Sequence, residues 1–147
     1  RTKALMRAKE LVDGIPEGSK VLLLGAVTEI IEECSKKKLL LTVLDLEPSK
    51  IGLTLSQKPI EDSNKLLSER IRQVDYVIAT GMIFVSSTAD MLFDGAMNQN
   101  YKLVLYMETG SNFGERLLQH GAYKVLSEFF PYYDFSGDTK YLVHQQK

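Results

Sequence analysis

The chain has 147 residues, and 18 Lys plus Arg against 19 Asp plus Glu leave a formal net charge of −1. A chain of that size buries about 68% of its surface on folding and needs no disulfide or metal to hold a core. With 44% apolar and 25% charged residues it is too apolar for disorder and reads as one globular domain over residues 1–147. The absence of a basic excess argues against a dedicated nucleic-acid binder. The single cysteine, Cys34, excludes an internal disulfide or a multi-cysteine zinc site and fits a reducing, cytoplasmic compartment. No apolar run approaches the ~18 residues of a membrane span, and no secretory pattern opens the chain. It begins at Arg1 rather than Met, as a fragment or a processed chain would.

Residues 2–13, within an N-terminal segment 1–14, carry Leu5, Ala8 and Val12 at helical spacing, with Gly14 and Pro16 as stops. The run 20–26 is apolar and bounded by glycine, which reads as a strand buried on both faces. Val27, Ile30, Ile31 and Cys34 then form a helical stripe, followed by three lysines suited to a helix C-terminus. Residues 39–45 predict a second strand ending in Asp45-Leu46-Glu47-Pro48. Pro48, Gly52 and Pro59 mark residues 48–62 as an irregular connection. Asp62 or Ser63 caps a helix to about Gln73, and residues 74–79 make a third strand closed by Thr80-Gly81. Ser87-Thr88-Ala89-Asp90 has the form of a capping box, and Ala89, Leu92 and Ala96 share one face of the helix it opens. A fourth strand spans 102–107, a short helix carries Phe113, Leu117 and Leu118, and a fifth strand spans 123–126. The tail is aromatic from Phe129 to Phe135, and residues 141–143 predict a sixth strand.

Alternating strands and helices predict a three-layer α/β sandwich with a mostly parallel sheet of five or six strands. The long connection between strands 2 and 3 suits a crossing to the far side of strand 1, hence the order 2-1-3-4-5. In such sheets ligands bind outside the carboxyl ends of the strands where the order reverses. That rim collects Gly25 and Thr28 after strand 1, Thr80, Gly81, Ser86, Ser87 and Thr88 after strand 3, and Thr109 and Ser111 after strand 4. Glycine admits a ligand to the backbone, and hydroxyls beside helix-start amides suit a phosphate or carboxylate. Asp45 and Glu47 lie about 20 residues beyond Gly25, where an acid can accept ribose hydroxyls or hold a hard cation. There is no G-x-G-x-x-G and no G-x-x-x-x-G-K-[ST]. Cys34 lies on an inward stripe and reads as packing, and His120 as a helix-end contact.

Val74-Asp75-Tyr76-Val77-Ile78-Ala79-Thr80-Gly81, with Thr88 eight residues after Thr80, resembles the heavy-metal-chelation family, a domain of unknown function with a Rossmann-like fold. The resemblance covers residues 18–135. Residues 21–26 are similar to its first strand and glycine, and Asp45-Leu46-Glu47-Pro48 to its acidic strand end. Ser86 stands where the family has asparagine, and Glu108-Thr109-Gly110-Ser111 where it has a Gly-Pro-Thr turn. The rim and the resemblance together imply a small anionic or metal-chelating ligand at the crevice, with the cofactor open between a metal ion and S-adenosylmethionine. The resemblance also implies a partner domain or a second copy to complete the site, because family members often carry a further N-terminal domain. With one Cys and two His, metal ligands would be mostly oxygen. An enzyme using S-adenosylmethionine or a nucleotide, with Asp45 or Glu47 on the ribose, is the alternative. A third reading is an interaction domain with no ligand. Neither nucleic acid nor membrane is an expected partner.

Overall fold

The computed structural model describes residues 2–80, 83, 88–107, 113–128 and 141–146. Its strands are β1 (Lys20–Leu24), β2 (Leu40–Asp45), β3 (Thr54–Leu55), β4 (Lys58–Asp62), β5 (Tyr76–Thr80), β6 (Lys102–Met107), β7 (Ala122–Glu128) and β8 (Tyr141–Gln145). Its helices are α1 (Thr2–Val12), α2 (Thr28–Lys36), α3 (Ser63–Arg70), α4 (Ala89–Met97) and α5 (Phe113–Gln119), with a 3₁₀ turn at Ile71–Gln73.

The strands join one sheet in the order β3-β4-β2-β1-β5-β6-β7-β8. The run from β4 to β7 is parallel, and β3 and β8 are antiparallel at the two ends. Period-2 alternation divides the core. Val21 and Leu23 of β1 face α1 and α2, packing with Leu11, Ile31 and Cys34. Leu22 and Leu24 face the other way, in a cluster with Leu67 of α3, Leu92 of α4 and Leu117 of α5. The result is an α/β fold with helices on both faces of a mixed sheet.

The expected five or six strands in the order 2-1-3-4-5 are corrected to eight among the described residues, in the order given above. The added pair lies within residues 48–62, which the proline and glycine signals marked as irregular. Leu55 and Lys58 close a two-residue hairpin whose central residues, Ser56 and Gln57, have φ of 45° and 65°. That left-handed geometry normally announces itself through Asn or Gly, and neither is present. β4 then pairs parallel with β2, outside it, so the crossover through α3 starts one strand further out than expected. The sixth strand is β8, longer than expected and antiparallel.

Candidate functional site

Gly25 follows β1 with φ +97°, a conformation that side chains resist. A Cβ placed there would lie 3.1 Å from Oγ1 of Thr80, at the end of β5. The two turns therefore meet closely at the carboxyl rim: the torsion favours glycine, and a side chain would make Thr80 give by a few tenths of an ångström. The Gly25 amide donates to Leu44 O at 2.8 Å, which holds the turn against β2.

Asp45 ends β2 and is 3% exposed. Its Oδ2 accepts the Ala26 amide at 2.8 Å, and its Oδ1 accepts the Glu47 amide at 2.9 Å. The carboxylate thus ties the β1–α2 turn to the chain leaving β2. The sequence places an acceptor for ribose hydroxyls or a hard cation here; the carboxylate lines the rim, and each of its oxygens takes one backbone amide. Glu47 is exposed, takes the Ser49 hydroxyl at 2.7 Å and pairs with Lys50 at 3.2 Å. The Ser49 hydrogen bond, then Lys50, lowers its carboxyl below the ordinary value. Lys50 Nζ also stands 3.8 Å from Asp45 Oδ2, placing a cation at the mouth of the crevice.

Gly25, Asp45, Thr80 and Thr88 line one hollow of about 30 Å³. Its apolar wall includes Leu24, Leu44 and Ile83, and Ser63 supplies a further hydroxyl. Thr28 is exposed on the first turn of α2 and does not line this hollow, nor does Glu47. Thr88 occupies the N-cap position of α4 in helical torsion and makes no capping hydrogen bond, so the helix starts one residue later than a Ser87 cap would place it. Gly81, Ser86, Ser87, Thr109 and Ser111 lie outside the described residues.

Two residues at this rim were not singled out as site residues from the sequence. Ser63 reaches it because Asp62 of β4 lies in register with Asp45 of β2, which sets the start of α3 at the same edge. The signal was the apolar Ile60 followed by the Asp62-Ser63-Asn64 cap, masked by Pro59. Lys50 gave no periodic or motif signal.

The first turn of α2 is the other chemical feature. Its N-cap is Val27, with no side-chain cap, and its first intrahelical bond runs from Ile31 N to Val27 O. The amides of Thr28, Glu29 and Ile30 consequently have no acceptor within the helix. Among the described residues no group of three or more His, Cys, Asp or Glu is placed to hold a metal ion. No helix among them is long and apolar enough to cross a membrane.

The sheet order and crossovers define an α/β domain consistent with a Rossmann-like fold. No protein-family model and no curated protein matches the chain. Among solved structures it is similar to a protein of unknown function from the DUF364 family of Desulfitobacterium hafniense DCB-2, with a TM-score of 0.60 and 15% identity. That match covers 96% of this chain and 56% of that one. The Rex-family repressor RSP matches at a TM-score of 0.47 and 14% identity, over 70% of this chain and 57% of that one. RSP in complex with beta-NADH matches at 0.47 and 16% identity, over 76% and 56%. At 15% identity the DUF364 likeness is one of fold alone. The chain spans little more than half the length of each of these proteins.

Proposed function

We propose that the carboxyl-rim crevice binds a small anionic ligand through the first turn of α2, with Lys50 at its mouth. The observation that carries this reading is the uncapped α2 N-terminus two residues after the Gly25 close approach. Free amides and the positive end of the helix dipole suit a phosphate or carboxylate there. Glu29 in the same turn, and Glu47 beside Lys50, favour one compact anion over a heavily charged one. The metal-chelating form of the reading has less support. Asp45 is already held by two amides, and Glu47 is paired with Lys50.

Thr28→Pro tests it. Proline is well tolerated at a first helical position and removes one of the amides in question. Val27 has φ −120° and ψ 115°, close to the torsions a residue before proline adopts. Inorganic phosphate at about 100 times its Kd should stabilise the protein by about 2.7 kcal/mol in thermal scans. Thr28→Pro should keep the fold and weaken that stabilisation. No shift with phosphate, sulfate or simple carboxylates would remove the proposal.

A further inference from the structure

We infer that the anion bound at this rim carries a hydroxyl group, which seats in the hollow between Ser63 and Thr80; the ligand class is a polyol phosphate or a hydroxy acid. The inference rests on the anion-binding reading above and names what that reading leaves open.

The hollow has a volume of about 30 Å³, which is room enough for a hydroxyl to enter. Ser63 faces it, is only 6% exposed, and has no hydrogen-bond partner for its hydroxyl among the described residues. Its hydroxyl is open to the hollow and so is available to a group that enters. Thr80 presents a second hydroxyl from the end of β5, and among the described residues Leu24, Leu44, Leu46 and Ile83 give the lining an apolar part beside Asp45 and Thr88.

The electrostatics decide what enters. Asp45 contributes a buried carboxylate to the wall, and its nearby cation, Lys50, is 3.8 Å off and shared with Glu47. A second negative charge in this space would face Asp45 at close range in a poorly solvated site. A neutral hydroxyl faces no such penalty: it donates to one oxygen and accepts from another. The anionic end belongs a short distance away. Gly25 lines the hollow and Val27 stands at the N-cap position of α2, so at most about 7 Å of chain separates them. A few carbon atoms bridge that gap.

The test compares glycerol 3-phosphate with propyl phosphate, which has the same anion and chain length and no hydroxyl, by calorimetry on the intact chain. Glycerol 3-phosphate should bind at least about tenfold more tightly, because a polar site left unfilled disfavours the analogue. Ser63→Ala should bring the two affinities together without changing that for propyl phosphate, and Thr80→Val should narrow the ratio in the same way. Equal affinities in the unaltered protein, or a ratio untouched by both variants, would overturn the inference and leave the anion site standing. Failure of both phosphates to bind would overturn the anion reading and this inference together.

Discussion

The Asp45 carboxylate accepts the amide of Ala26 at 2.8 Å across 19 residues of sequence, joining the ends of two neighbouring parallel strands. A charged acceptor on a buried amide is worth about 1.5–3 kcal/mol, and this one also holds the Glu47 amide. Asp45→Asn turns one acceptor into a donor facing a donor. It should cost about 2 kcal/mol in urea unfolding, far more than a surface Asp→Asn change. A loss under about 0.5 kcal/mol, the usual surface range, would show that the clamp contributes little.

Gly25→Ala meets two obstacles, positive φ and Thr80. Strained torsions of this kind cost about 1–3 kcal/mol. Thr80→Ala in the same background should recover only the steric part, because Thr80 Oγ1 is the atom 3.1 Å from the added carbon. Full recovery in the double variant would assign the whole effect to crowding.

Burial, with a smaller contribution from Glu33, pushes the Cys34 thiol up from 9.0 to about 12. Burial, and then Asp94, also raises the Tyr101 hydroxyl from 10.0 to about 12. Both groups stay protonated in the fold and ionise earlier when unfolded. Their contribution is complete below pH 9 and is lost as the pH rises toward 12. Cys34→Ala should flatten the first part of that decline. In the native protein the Cys34 thiol should react with an aromatic disulfide reagent at pH 8 only as fast as the chain opens.

Glu47 titrates the other way. Its lowered carboxyl stabilises the fold above the ordinary value of 4.5, and that contribution fades as the pH falls through the lowered one. Ser49→Ala removes the largest cause and should move the Glu47 carbon resonance midpoint upward in an NMR titration. An unmoved midpoint would assign the shift to Lys50.

Gly114 of α5 lies against β8, where an added Cβ would fall 2.2 Å from the His144 ring. His144 Nε2 is buried and has no hydrogen-bond partner among the described residues, so the ring has little to gain by staying if it is pushed. Gly114→Ala should cost about 2 kcal/mol, a typical overpacking penalty, and should speed amide exchange in β8 before β5 or β6.

What could be read from the residues follows from how each signal is encoded. The inner strands are short apolar runs closed by glycine or an acid, and burial on both faces leaves such runs little choice. Asp45 and Gly25 stand out by type and spacing, whereas the two backbone amides that Asp45 holds carry no sequence signature. The β3–β4 hairpin was hidden because Ser56 and Gln57 adopt positive φ without the usual residues. Ser63 was hidden with it, since its place at the rim depends on β4 pairing with β2. A long-range register of that kind is a tertiary fact, invisible to local patterns.

The brevity of β3 has a consequence for how these molecules behave when crowded. Two residues present too few free amides and carbonyls to recruit an extended segment from another copy, and Lys58 and Pro59 follow at once in the strand behind. One margin of the eight-stranded ribbon is thereby blunted against sideways growth, a common protection for proteins kept at high concentration.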